Sequence, residues 1–211
     1  VGTRTRQSKW ITGAAARRDA MRWRRLFPAV GVGAGTVLAD DPQLTSRIGK
    51  TEWCPVRLVF DRTLRTVSAK LPRVYADENR SRTIVVTGVS PDVAKRKLLE
   101  QQGVAVWPLL PERWFTALRE KCAQAGLTGL LLEGGPTLLS AFLQAGELDY
   151  LFAYRAPKIL ADTEALPVFT GPPRPRLADA FALSKVRHAN FDDDQLLRGF
   201  VAAPKTANRK S

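Results

Sequence analysis

Gly31, Gly33 and Gly35 alternate along AVGVGAGTVLADDPQLTSR (residues 29–47), and Asp40, Asp41, Thr45 and Arg47 follow them closely. Glycines at every second position leave one face of the backbone bare, with carboxylates and a guanidinium beside it. The pattern predicts a short buried strand over 29–32, an N-cap at Thr36 and a short helical turn over 37–40. A strand running through bare glycines into a helix start lets backbone N–H groups approach a phosphate or a flat ring. Taken alone, the spacing favours an ordinary tight turn ahead of a capped helix; the charged residues beside it shift the balance toward a ligand site. A second helix start of this kind lies at Glu133-Gly134-Gly135-Pro136-Thr137, after the clearest strand, 129–133. Pro136 suits the first turn of a helix, Leu138, Leu139, Phe142 and Leu143 form its buried stripe, and Gly146 stops it. Asp61 and Arg62 follow a third strand, 57–60, at the strand end where open α/β sheets bind ligands. A cation there, Arg62 or Arg65, could meet a phosphate through charge-assisted hydrogen bonds, although an exposed Asp-Arg pair in a loop reads equally well.

The elements that must position these residues alternate. Thr12 is the expected N-cap of a helix over 14–27, which ends at Pro28 and carries Arg17, Arg18, Arg22, Arg24 and Arg25, mostly as a wet face. The runs 57–60 and 83–87 are short, apolar and rich in β-branched residues, as buried parallel strands are. A polar stretch, 62–82, separates them. A helix over 91–102 stops at Gly103, a strand follows over 104–107, and an amphipathic helix over 111–124 ends near Gly126. This order predicts an α/β sheet with right-handed crossovers. After it come strands over 150–155, 183–189 and 195–201, the last two joined by a polar turn at 190–194 into an antiparallel hairpin. A Pro-rich loop, 167–175, precedes that hairpin. Without internal repeats or low-complexity linkers, residues 1–203 read as one domain and 204–211 as a basic tail.

Composition narrows the classes. The 211 residues are 45% hydrophobic, enough for one sizeable core. The absence of a membrane-length apolar run and of a signal-peptide pattern predicts a soluble, cytoplasmic protein. Cys54 and Cys122 read as reduced thiols. His188, the sole histidine, excludes a multi-histidine metal site, weakens any Ser-His-Asp reading and is assigned a structural role. The net charge of +13 clusters at 4–6, 17–25 and 205–210. Solvated surface is its first explanation and attraction of small anions its second. Nucleic acid ranks below both, because no zinc-knuckle, KH-like or RRM-like pattern accompanies the charge.

The block GVGAGTVLADDPQLTSR (31–47) strongly resembles the reductase domain of bacterial riboflavin biosynthesis, the 5-amino-6-(5-phosphoribosylamino)uracil reductases. The similarity continues, in the family's order, through SKWITG (8–13), PVRLVFDRTLR (55–65), LLLEGGPTLLSAFLQAGELD (130–149) and APKIL (156–160), and covers nearly the whole chain. The resemblance implies a dihydrofolate-reductase-like three-layer α/β fold, with a mostly parallel central sheet and the C-terminal antiparallel hairpin. It implies NADPH as cofactor, a phosphorylated pyrimidine as substrate, hydride transfer to C1′ of the ribosylamino group, and a homodimer. It places Ser8, Arg24, Leu44, Arg47 and Glu133 on the substrate. Trp10, Thr36, Asp40, Arg62, Gly135, Pro136, Thr137, Leu138, Leu139, Ser140 and Ala141 fall on the cofactor. No metal is implied, and no residue is singled out as proton donor; a carboxylic acid or a bound water could serve. The family usually has a smaller residue at Arg62 and a glycine at Ala161, which leaves the loop after APKIL open.

The family's bifunctional members carry an N-terminal zinc deaminase with HxE and PCxxC motifs, and nothing here matches them. Family members also open with a strand ending in an SLDG-like motif, just before the segment matching residues 1–13. The chain is therefore expected to represent a longer protein short of one inner strand, and as written to fold poorly and turn over slowly. Two alternatives to the main reading are a reductase of the same fold acting on another pterin or pyrimidine, and a reductase-like module that binds or assembles without turnover.

Overall fold

The structure is a computed structural model that describes residues 2–5 and 9–202. Its chain forms two compact units, Asp19–Leu138 and the described residues of Val1–Arg18 with Leu139–Ser211.

The unit Asp19–Leu138 is built on five parallel strands: β1 (Ala29–Gly33), β4 (Val56–Phe60), β5 (Thr83–Gly88), β6 (Ala105–Leu109) and β7 (Leu130–Leu132), in the order β6-β5-β4-β1-β7. β1 and β4 carry apolar, β-branched residues buried on both faces, as an interior parallel strand requires. β1 lies between β4 and β7, with Gly33 beside Phe60 and Gly31 beside Leu132. The chain therefore leaves β1, β4 and β7 at one end of the sheet. β7 is shorter than the expected 129–133, but the Glu133 N–H still donates to Gly31 O at 2.8 Å, extending the ladder by one bond.

The helix α2 (Ala34–Asp40) starts directly after β1, with Gly33 as its N-cap. This corrects the assignment of that role to Thr36, which sits inside the first turn; the strand passes into the helix with no intervening loop in which Thr36 could cap. The glycines also divide by function. A Cβ on Gly31 would stand 3.0 Å from Phe60 Cε2, 3.1 Å from Leu132 Cδ2 and 3.2 Å from Leu130 Cδ1. Gly31 thus makes room for neighbouring side chains, and the bare backbone belongs to Gly33 and Gly35.

The stretch 62–82 is more than a polar connection. Leu64, Val67, Val74 and Tyr75 enter the core beside Val30, Val32 and Val59. Two local devices turn them inward: Asp61 Oδ2 accepts from Thr66 N and Thr66 Oγ1, both at 2.7 Å, and the short helix α3 (Arg73–Ala76) follows. A short hairpin, β2 (Ser46–Ile48) with β3 (Thr51–Trp53), also goes beyond the sequence reading. The helices α4 (Val93–Gln101) and α5 (Trp114–Gln124) end as expected, with Gly103 and Gly126 at positive φ.

In the other unit, β8 (Tyr150–Arg155), β9 (Ala182–Phe191) and β10 (Asp194–Ala202) form an antiparallel sheet in the order β8-β10-β9. The hairpin turn contracts from the expected 190–194 to Asp192 and Asp193, with Asp192 at φ +54°. Helix α1 (Ala14–Leu26) begins with Gly13, not Thr12, at its N-cap: Arg17 N donates to Gly13 O, and Gly13 N donates to Asp194 Oδ2 at 2.5 Å. A carboxylate from a distant strand meets the helix start in place of the local hydroxyl. Helix α6 (Pro136–Gln144) buries Ser140, Phe142 and Leu143, while Leu138 and Leu139 of the expected stripe are only half-buried. Ser140 is inward because its Oγ accepts from Thr170 N at 2.7 Å. Ala161 sits at φ +48°, so the loop keeps a glycine-like conformation despite the alanine.

Replacing Gly31 with valine would force side-chain atoms into space already held by Phe60, Leu130 and Leu132. Such overpacking costs about 1–3 kcal/mol, so Gly31→Val is expected to lower the urea midpoint at unchanged m-value. An unchanged midpoint would mean that these three neighbours move aside freely.

Candidate functional site

The ends of β1, β4 and β7 bring together Gly33 and Gly35, the loop from Asp61 to Arg65, and Glu133 with Gly134 and Gly135. The best-defined group among them is an ion pair. Arg24, from the last turn of α1, donates from Nε to Glu133 Oε1 at 2.6 Å and from Nη2 to Glu133 Oε2 at 2.5 Å. The two side chains are 16% and 27% exposed. Burial pulls the Arg24 pKa down, but its hydrogen bonds to Glu133 and the carboxylate's charge outweigh burial and hold it above the ordinary arginine value. A third donor of the same guanidinium, Nη1, reaches Thr45 O at 2.8 Å. Arg24 therefore ties the end of β7 to the loop after α2.

That loop is unusual in three respects. Asp41, at φ +42°, closes α2 with its N–H on Val37 O, and its Oδ1 accepts from Arg73 N at 2.7 Å. Leu44 is buried at φ +58°, a left-handed conformation costing a branched side chain about 1–2 kcal/mol. Thr45 is also buried, and among the described residues its Oγ1 is the buried side-chain polar atom without a hydrogen-bond partner. Ser46 Oγ then donates to Met21 O at 2.6 Å, fixing the loop to α1. Arg47 is exposed on β2 beside Glu52, and its Nη1 donates to Gln43 Oε1 at 3.1 Å.

Thr36 and Asp40 stand one turn apart on α2, both half-buried, and so share a face. Arg62 is exposed, and its carbonyl accepts from Gly88 N and Thr87 Oγ1. The cation nearer the start of α2 is Arg65, whose Nη2 lies 3.8 Å from the place a Cβ on Gly35 would take. Around the second helix start, a Cβ on Gly134 would strike Leu138 Cδ2 at 2.8 Å, so Gly134 is needed for packing. Nothing lies within 4 Å of the corresponding point on Gly135. With Pro136 first in α6 and no acidic residue in that turn, the helix start offers open backbone and a positive dipole end. These features suit the diphosphate of a dinucleotide.

Ser8 lies outside the described residues. Trp10 belongs to the other unit, is 66% exposed, and has the Arg17 guanidinium 4.4 Å from its ring centroid. Lys158 holds that segment by donating to Trp10 O at 3.0 Å and Ile11 O at 2.8 Å. Of the candidates in the segment 135–141, Gly135, Pro136, Thr137 and Leu138 fall in the unit with Arg24, while Leu139, Ser140 and Ala141 fall in the other. His188 is exposed on β9. Among the described residues no group of three or more His, Cys, Asp or Glu side chains is placed to hold a metal, and no helix is long and apolar enough to cross a membrane.

The sequence reading missed Arg57, the second residue of β4, which is completely buried. Its signal was present: one arginine inside the apolar run VRLVF must have a buried partner. That partner, Asp77, lies in the stretch 62–82, read only as polar.

A sequence model of the RibD C-terminal domain matches residues 1–197, and the chain belongs to that family. It is 34% identical over 172 residues to the riboflavin biosynthesis protein RibD of Bacillus amyloliquefaciens, an alignment covering 81% of this chain and 46% of the relative. Acinetobacter baumannii RibD superposes with a TM-score of 0.78 at 30% identity, over 96% of this chain and 54% of that one. The Thermotoga maritima diaminohydroxyphosphoribosylaminopyrimidine deaminase/5-amino-6-(5-phosphoribosylamino)uracil reductase gives 0.69 at 28%, over 95% and 52%. The chain has the dihydrofolate-reductase-like fold of these proteins, with a mostly parallel sheet and a C-terminal antiparallel hairpin. It spans about half the length of the relatives it matches.

The unpaired hydroxyl gives a direct check of the loop. Thr45→Val removes a buried hydroxyl that has no bond to lose, so the melting temperature should stay the same or rise. A clear drop in a thermal melt would show that Oγ1 has a partner in solution.

Proposed function

We propose that the chain is the reductase of riboflavin biosynthesis, converting the ribosylamino group of 5-amino-6-(5-phosphoribosylamino)uracil to the ribitylamino product with NADPH. The observation that carries this reading is the Arg24–Glu133 pair, bonded on to Thr45 O, in the same unit as two helix starts with bare glycines. The Thermotoga maritima relative, a deaminase/5-amino-6-(5-phosphoribosylamino)uracil reductase, is named for the same substrate.

A bound nicotinamide would supply a hydride for C1′, with the bond from C1′ to the ring oxygen breaking and that oxygen taking up a proton as a ribityl hydroxyl. The residues of the chain bind and orient. Ser8, Arg24, Leu44, Arg47 and Glu133 hold the substrate, with Arg47 near its phosphate. Glu133, clamped through both oxygens by Arg24, keeps its remaining lone pairs for substrate N–H or O–H donors. Thr36 and Asp40 hold the nicotinamide end, Trp10 lies against the cofactor, and the segment 135–141 holds its diphosphate. Arg62, with Arg65, meets the 2′-phosphate. Residues 1–203 act as one reductase domain, in the cytoplasm and as a homodimer.

Loss of nicotinamide absorbance on mixing protein, NADPH and the ribosylamino-pyrimidine phosphate tests the reading. Turnover of that substrate supports it; cofactor oxidation only with another pterin or pyrimidine, or none at all, overturns it. A charge-assisted contact to the 2′-phosphate is worth ~1.5–3 kcal/mol, so NADPH should bind at least roughly tenfold more tightly than NADH. Equal dissociation constants would remove Arg62 and Arg65 from the site. Arg47→Ala should raise KM for the substrate with NADPH affinity unchanged, and Asp40→Ala should weaken NADPH instead. The opposite pattern would reverse the orientation assigned to the site.

A further inference from the structure

We propose that Arg57 is a positioning residue for substrate binding, holding Leu44 and Arg47 in place from strand β4; this rests on the substrate side assigned above. All five N–H groups of its guanidinium are used. Nε donates to Thr83 Oγ1 at 2.9 Å, and Nη2 to Val74 O at 2.9 Å and Asp77 Oδ1 at 2.8 Å. Nη1 donates to Asp77 Oδ2 at 2.7 Å and to Gln43 O at 3.0 Å. The last bond is the only one of the five to leave the Val74–Thr83 neighbourhood, and it ends on the residue before Leu44.

Leu44 therefore stands between two carbonyls, each held by an arginine: Gln43 O by Arg57 and Thr45 O by Arg24. It has φ +58°, a conformation that persists only where its surroundings impose it. Gln43 carries the constraint onward, because its side-chain oxygen accepts from Arg47. A buried aliphatic side chain at position 57 would fill the core as well, but it could not reach Gln43 O. The arginine, rigid and forked, fixes α3 and the loop with one planar group. Releasing Gln43 O frees Leu44 to relax to negative φ, which displaces both Leu44 and Arg47.

The test compares Arg57→Lys with Asp77→Asn. Both weaken the same buried ion pair, but only the first removes the bond to Gln43 O. Both should lower the melting temperature. Arg57→Lys alone should raise KM for the ribosylamino substrate about tenfold or more, with NADPH affinity changed less than about twofold. Equal KM effects in the two variants, or an unchanged KM in Arg57→Lys, would overturn the proposal. Hydrogen exchange on ligand-free wild-type protein provides a measurement that needs no variant to fold. The amides of residues 43–46 should exchange far more slowly than those of the loop 167–175, and equal rates would also overturn it. Wild-type turnover is measured first. If it is absent, the functional reading fails separately, and the latch is decided by exchange in the wild type and the two variants.

Discussion

The bidentate bond between Arg24 and Glu133 is the interaction on which the arrangement of the site depends. It joins two segments that sequence keeps far apart, the end of α1 and the end of β7, and through Thr45 O it adds the loop after α2. Taking a guanidinium and a carboxylate partly out of water is costly unless their geometry is good and their other donors are satisfied. The geometry here is bidentate, four of the five guanidinium N–H groups have protein partners, and the partly exposed pair leaves the remaining one to solvent or a ligand. In the proposed site this part is therefore already assembled before a substrate would arrive.

The sheet makes the pair possible. β1 sits between β4 and β7, so the glycine-rich start of α2 and the Glu133 strand end emerge side by side. Gly31 permits this spacing by leaving room for Phe60, Leu130 and Leu132. Within strand β4, Arg57 performs the complementary task, since a charged group in a parallel core is tolerable only when every donor is used. Two arginines thus hold the same loop, Arg24 by Thr45 O and Arg57 by Gln43 O.

Much of this was legible in the sequence because it is local. β-branched runs located β4 and β5, the glycine-rich stretch located β1, and Gly103, Gly126 and Gly146 marked helix ends, where they adopt positive φ. What stayed hidden depends on contacts between distant residues. Thr12 and Thr36 are good local caps, but Asp194 meets the start of α1 and α2 begins straight from its strand. The core role of Leu64, Val67, Val74 and Tyr75 escaped a reading based on periodicity, because turns rather than a regular element bring them inward. For the candidate site, the glycine spacing was visible, but the division between packing glycines (Gly31, Gly134) and open ones (Gly33, Gly135) required the neighbouring side chains. The partnership of Arg24 with Glu133 came into view only when β7 was placed beside β1.

A double-mutant cycle on Arg24→Met and Glu133→Gln, read in kcat/KM for the ribosylamino substrate, tests the central claim most directly. If the two side chains act as one unit, each single change costs nearly as much as both together, with a coupling energy of about 1.5 kcal/mol or more. Additive losses would contradict the account, because they would mean that Arg24 and Glu133 contribute independently and that their bond does not organise the site.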